Sequence, residues 1–316
     1  MGSTSTVTVL DGGMGRELLR IGAPFRQPEW SALALTEGPD WVVQAHRNFI
    51  EAGAHVITTN SYAIVPFHIG DDRFRSEGRQ LAALAGRLAY EAAAPFAALT
   101  IAGSLPPLFG SYRPDLFDAV RADEIIDPLI DGLRDHVHVW LGETLGSIAE
   151  ATAVRAALDR AGEATTPLWI SYYLSNRSPL ALASGETVAE AVSAAVDLGA
   201  AAVLFNCSPA EKISIAIPIA RSVAGSRAQV GGYANRFATT QADSGQANDR
   251  LSEFRDDLDP VAYCELVAGW LRDGATMVGG CCGMTPDHIG AISSLVEGGG
   301  GKHGTVGGND AHRHSG

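Results

Sequence analysis

Short apolar runs alternate with longer Ala/Leu-rich stretches of helical period along most of this 316-residue sequence. The apolar runs Val7–Leu10, His55–Thr59, Leu99–Ala102, Val137–Leu141, Leu168–Tyr172, Ala202–Phe205, Gln229–Gly232 and Thr276–Val278 read as strands. Helical period follows over Trp41–Ala52, Ser76–Ala93, Ala122–Asp135, Ser147–Ala161, Thr187–Leu198, Pro209–Val223, Pro260–Asp273 and Pro286–Val296. The pair Gly-Ala stands between a helix and the next strand at Gly53-Ala54, Gly199-Ala200 and Gly274-Ala275. Glycine there supplies the left-handed residue that ends a helix, so each turn is tight. Strands that alternate with helices through such turns must lie parallel, with both faces of the sheet covered. Eight strands, each followed by a helix, predict a closed (β/α)8 TIM barrel of class α/β. The competing arrangement, a doubly wound open sheet, would normally carry a G-x-G-x-x-G turn after its first strand, and Asp11-Gly12-Gly13-Met14-Gly15 lacks that spacing.

The barrel is expected to occupy residues 1–297 as one domain. The Gly- and His-rich tail 298–316 is expected to be disordered, its histidines forming no site. Asn235–Asp259 is a long polar segment after the seventh strand, of unassigned role. A hydrophobic share of 46% excludes disorder as the dominant state, and a net charge of −13 disfavours phosphate backbones and anionic lipid. Partners are therefore expected to be small molecules, with no nucleic acid and no membrane. Glu190 and Asp197 interrupt the nearest approach to a membrane span, Val188–Cys207. No Lys or Arg precedes Leu10, so no signal peptide is visible, and four cysteines are too few for a disulfide scaffold. A reducing cytoplasm is the expected location. Oligomeric state cannot be read from the chain.

Barrel enzymes build their sites at the C-terminal ends of the strands. Those ends carry Asp11-Gly12-Gly13, Thr59-Asn60-Ser61, Glu143-Thr144, Asn206-Cys207, Tyr233-Ala234-Asn235 and Gly279-Gly280-Cys281-Cys282-Gly283. One cysteine at a strand end is as readily core filling as a ligand. Three on neighbouring strand ends, two of them among glycines, point to a metal site with an open position. Asp11 before two glycines suits a zwitterion, with a carboxylate for an ammonium and backbone amides for a carboxylate, or it caps the next helix. Glu143 is able to bind an amine or form a salt bridge. His136 and His138 fall at the wrong end of their strand for a metal site, Asp71-Asp72 reads as a solvated loop, and Cys264 reads as helix packing. Tyr62, Phe67, Tyr112, Tyr172, Tyr173 and Tyr233 fall on or near the active rim, where aromatic faces attract sulfonium or ammonium groups.

Taken together, Asp11-Gly12-Gly13-Met14-Gly15-x-Glu17-Leu18, Thr58-Thr59-Asn60-Ser61-Tyr62, Glu143-Thr144 with Glu150-Ala151, Asn206-Cys207 and Gly279-Gly280-Cys281-Cys282-Gly283 resemble the homocysteine S-methyltransferase family. The resemblance runs from about Val9 to Val296. It implies a (β/α)8 barrel that binds Zn2+ through Cys207, Cys281 and Cys282 and takes the homocysteine sulfur as fourth ligand. Asp11 and Glu143 would then hold the homocysteine amine, and amides near Gly12 and Gly13 its carboxylate. Asn206 would belong to the substrate site, with Asn235 in or beside the fourth metal position when substrate is absent. The implied reaction moves a methyl group from a cationic donor to the thiol, giving methionine. The chain departs from the family pattern at Tyr233-Ala234-Asn235-Arg236-Phe237, at Ala63-Ile64-Val65-Pro66-Phe67 and at Gly146, all on the donor side. The barrel takes up nearly all of the chain and leaves no folate or cobalamin module, so S-methylmethionine is the first expected donor and S-adenosylmethionine the second. The alternatives are betaine or another sulfonium acid as donor, and selenohomocysteine or another thiol as acceptor. Outside enzymes, a zinc- or thiol-based redox sensor would use the same three cysteines.

Overall fold

The computed structural model describes residues 7–176, 180–238 and 253–299. Eight strands form one parallel sheet: β1 Thr8–Val9, β2 Val56–Thr58, β3 Thr100–Leu105, β4 Val139–Leu145, β5 Leu168–Tyr172, β6 Ala202–Asn206, β7 Gln229–Ala234 and β8 Met277–Gly280. Their order, β1-β8-β7-β6-β5-β4-β3-β2, runs once round a ring. The ring closes where Leu10 pairs with Val56 in a single parallel bridge, so β1 and β2 share a seam rather than a full ladder. This is the expected barrel.

Side-chain alternation along the strands sorts the core into two layers. Leu10, Val56, Ala102, Val139, Leu141, Trp169, Ala202, Leu204 and Met277 fill the inside of the ring, and Cys281 packs at its top. The residues between them, such as Trp140, Ile170, Val203 and Val278, face outward and are buried under the helices. Filling the ring with side chains makes the barrel a solid platform, leaving only its rim to bind ligands.

The helices are α1 Met14–Ile21, α2 Ala32–Glu37, α3 Pro39–Glu51, α4 Pro66–Ile69, α5 Asp71–Ala93, α6 Ala122–Leu133, α7 Ile148–Arg160, α8 Val188–Asp197, α9 Ala210–Ala224, α10 Pro260–Arg272 and α11 Pro286–Gly299. Gly53, Gly199 and Gly274 all take positive φ (99°, 78° and 100°), as the Gly-Ala turns require. The expected plan of one helix per strand is exceeded early: α1 and α2 precede α3 in the first connection, and α4 precedes α5 in the second. Asp71 and Asp72 form the acidic first turn of α5 rather than a loop, where they favour the positive end of the helix. The last helix continues through Gly299, past the expected boundary at 297; the rest of the tail lies outside the described residues. Within 235–259, Phe237 and Phe254 pair in an antiparallel bridge, while 239–252 lie outside the described residues. Among the described residues, no helix is long and apolar enough to cross a membrane.

His138 plays the backbone role its position allows: its Nδ1 accepts from the Ile101 amide at 3.0 Å. His55 does the same for the Val9 amide, also at 3.0 Å. Both imidazoles extend the hydrogen bonding at the lower ends of strands, away from the rim.

Candidate active site

A cavity opens at the C-terminal rim, lined by Asp11, Glu143, Cys207, Cys281 and Cys282 among others. The three cysteines come from the ends of β6 and β8, and their sulfurs lie within 4.8 Å of one another. Among the described residues this is the one cluster of three or more potential ligand side chains. Cys207 Sγ and Cys282 Sγ are 3.6 Å apart. Sulfurs on a tetrahedral zinc, with Zn–S ≈ 2.3 Å, stand ~3.8 Å from each other, so the trio fits such an ion with little movement.

The backbone is bent to present these sulfurs. Cys207 takes φ 50° and Thr144, facing it across the rim, takes φ 62°. Both lie in the left-handed region that non-glycine residues enter only when their surroundings hold them there. The holding groups are two buried asparagines. Asn206 Oδ1 accepts from the Thr144 amide (3.0 Å) and from Ser171 Oγ (2.7 Å). Its Nδ2 donates to Thr144 Oγ1 at 2.8 Å and lies 3.8 Å from Cys281 Sγ. Asn235 Nδ2 donates to the Cys207 carbonyl at 2.6 Å, and its Oδ1 accepts from the Phe237 amide at 3.2 Å. Neither asparagine lines the cavity. In these positions both amides brace the frame beside the cysteines: Asn206 reaches Cys281 Sγ, and Asn235 holds the Cys207 carbonyl.

Hydrogen bonding with Cys281, with Cys282 and with the Tyr112 hydroxyl holds the Cys207 thiol well below its usual range. The same hydrogen bonding with Cys207 pushes Cys281 and Cys282 well above that range. A divalent ion would let all three coordinate as thiolates.

The carboxylates stand opposite. Asp11 accepts from the Thr58 amide (2.7 Å) and from Thr58 Oγ1 (3.1 Å). Glu143, inside β4, accepts from Ser104 Oγ (2.6 Å) and from the Tyr233 hydroxyl (3.3 Å). Burial pushes Asp11 up to about 8 and Glu143 up to about 7. Two desolvated acids that resist ionisation form a site lacking a cation, and an ammonium group would supply it. Of the two expected glycine amides, that of Gly13 already donates to the Met284 carbonyl at 3.1 Å. Gly13 is also the close approach that lets the first loop lie on the cysteine turn: a Cβ there would come 2.7 Å from the Cys281 carbonyl oxygen.

Of the six aromatic residues expected near the rim, Tyr62, Tyr112 and Tyr233 line the cavity. The Tyr62 hydroxyl is 2.9 Å from Ser111 Oγ. Tyr173 stands behind, its ring 4.5 Å from that of Tyr112, while Tyr172 is core and Phe67 lies against His68 with the rings tilted by 41°. Arg16, Trp30 and Thr58 were not singled out from sequence, although all three line the cavity. Arg16 and Thr58 sit within motifs that were read for their neighbours. Trp30 gives no local signal.

The sequence profile of the homocysteine S-methyltransferase family matches residues 8–296. The chain belongs to the homocysteine S-methyltransferase family. Among similar proteins, homocysteine S-methyltransferase 1 of Zea mays is 28% identical over 92% of this chain and 94% of its own length. Selenocysteine methyltransferase of Astragalus bisulcatus is also 28% identical, over 92% and 93%. The crystal structure of the metallated homocysteine methyltransferase MmuM from Escherichia coli superposes with a TM-score of 0.76 at 22% identity, covering 92% of this chain and 97% of that one. That likeness shows that this family member shares the barrel fold of MmuM.

Proposed function

We propose that this protein transfers a methyl group from a sulfonium donor to the thiol of homocysteine, giving methionine, at a Zn2+ ion held by Cys207, Cys281 and Cys282. One observation carries the reading: three thiols within 4.8 Å and two buried acids line one cavity. The thiol set suits a soft cation, and the acids suit the ammonium of an amino acid. Zinc bound by the three cysteines supplies the means to keep the acceptor sulfur deprotonated at neutral pH.

The remaining work belongs to side chains. Asp11 and Glu143 take the acceptor ammonium between them, and the charge it brings offsets the desolvation that raises their pKa values. Thr58 and Ser104 fix the two carboxylates, so the acceptor arrives oriented. Tyr62, Tyr112 and Tyr233 wall the space beside the sulfurs with ring faces that favour a cationic donor. The sulfonium leaves as a neutral thioether, so no general acid is required. S-methylmethionine is the first donor to test and S-adenosylmethionine the second. A selenol acceptor is a second reading, favoured by the Astragalus relative, which matches as well as the maize one.

The test is zinc-loaded protein with homocysteine and methyl-labelled S-methylmethionine, S-adenosylmethionine or betaine, followed by mass spectrometry of the methionine formed. Cys281→Ser is expected to lose both the metal and the labelled product. Turnover retained in that variant, or no homocysteine binding in the intact protein, would overturn the reading. Parallel rates with homocysteine and selenohomocysteine rank the acceptors.

A further inference from the structure

Among the described residues lining the cavity, the acidic groups are Asp11, Glu143 and three cysteines, whereas Arg16 is the sole cation. Arg16 is the third residue of α1. A cation in the first turn of a helix opposes the helix dipole, and an acidic residue is the usual choice there. A local rule broken inside a binding cavity points to function.

The side chain is held in place. The guanidinium carbon lies 4.6 Å from the centre of the Phe254 ring and 5.7 Å from that of Phe237. Those rings are stacked, with centroids 6.1 Å apart and planes within 6°. Phe254 in turn rests on Gly283, where a Cβ would come within 2.6 Å of the ring. The arginine is thus clamped on the wall beside the Cys281-Cys282 turn. An aromatic face orients a guanidinium and fixes the plane in which its N–H groups point.

We propose that Arg16 anchors the carboxylate of the amino-acid substrate, forming with Asp11 and Glu143 a clamp for a zwitterion. This rests on the methyl-transfer reading above. It adds a side-chain donor to a loop in which the Gly13 amide is committed to Met284. A carboxylate occurs in both acceptor and donor, and the experiment separates the two.

KM is measured for homocysteine and for its decarboxylated analogue 3-aminopropane-1-thiol at saturating S-methylmethionine. It is then measured for S-methylmethionine and for (3-aminopropyl)dimethylsulfonium at saturating homocysteine. Arg16→Met is expected to raise KM for one carboxylate-bearing substrate by roughly 10- to 100-fold, the worth of a charge-assisted hydrogen bond. The matching carboxylate-free compound should be unaffected, and zinc content should stay that of the unaltered protein. A rise confined to homocysteine assigns the anchor to the acceptor; a rise confined to S-methylmethionine assigns it to the donor. Arg16→Lys keeps the charge without the planar fork, and should show a smaller rise with the same selectivity. That variant carries the test if Arg16→Met does not fold. Equal changes with and without the carboxylate, or no change, overturn the proposal. Unaltered protein that makes no methionine would instead overturn the methyl-transfer reading.

Discussion

Replacing Asp11 by Asn should strengthen the metal-free fold while damaging substrate binding. Asp11 is buried and its carboxyl is pushed from an ordinary value of 3.8 up to about 8, chiefly by desolvation. A folded-state pKa above the unfolded one means that the associated stability is present at pH below about 4. It drains away as pH climbs toward about 8. Each unit is worth roughly 1.4 kcal/mol, so about four units set an upper bound of about 5 kcal/mol at pH 8. Allowing for local relaxation, a gain on the order of 3 kcal/mol is expected for a side chain that cannot ionise. Asparagine fits the same place: its Oδ1 can accept from the Thr58 amide, and its Nδ2 can donate to the Thr58 hydroxyl, which turns to receive it. The assay is thermal unfolding of both metal-free proteins from pH 5 to 8.5. Their Tm values should converge at low pH and separate by roughly 5–10 °C near pH 8. The same variant should raise KM for homocysteine on the order of 100-fold, because an ammonium loses one of its two acidic partners. A Tm difference that ignores pH, together with an unchanged KM, would refute the reasoning.

Tyr263 on α10 bridges the upper ends of β7 and β8, accepting from the Ala234 amide (3.0 Å) and donating to the Gly279 carbonyl (2.7 Å). Tyr263→Phe strands both backbone groups and should cost about 2–4 kcal/mol in chemical denaturation, with weaker zinc retention in competition with a chelator. Stripping zinc should lower Tm, and re-adding free metal at ~100 times its Kd should restore about 2.7 kcal/mol. A Tm indifferent to metal would argue against a bound ion at the three cysteines.

All eight strands were legible because a short apolar run set between two helical stretches can bury both of its faces only as a strand of a covered sheet. The fifth ends at Tyr172 as expected, but several other upper ends were not legible. The third strand runs on to Leu105, the fourth to Leu145, the seventh to Ala234 and the eighth to Gly280. The extensions of the third, fourth and eighth strands begin at Gly103, Gly142 and Gly279, glycines that read locally as turns. In the barrel such glycines lie within strands, since a Cβ on Gly279 would come 2.6 Å from the Leu10 Cβ. Helix α1 was hidden for a related reason: three glycines in Gly12-Gly13-Met14-Gly15 argue against helix, and tertiary contact overrides them. At the site, Cys207, Cys281 and Cys282 were identifiable by residue type and position on neighbouring strand ends. The bracing by Asn206 and Asn235 was not, because it depends on the left-handed backbone at Thr144 and Cys207 that no residue name announces.

The narrow join between β1 and β2 has a consequence for motion. One Leu10–Val56 bridge and the His55–Val9 exchange hold its lower part, and above them Asp11 itself receives the Thr58 amide. The proposed amine-binding acid therefore doubles as a rung of the barrel wall. Hydrogen exchange at the Thr58 amide should report ligand occupancy without any probe on the ligand. A substrate that keeps Asp11 ionised would strengthen that rung, so exchange of the Thr58 amide is expected to slow when the site is filled.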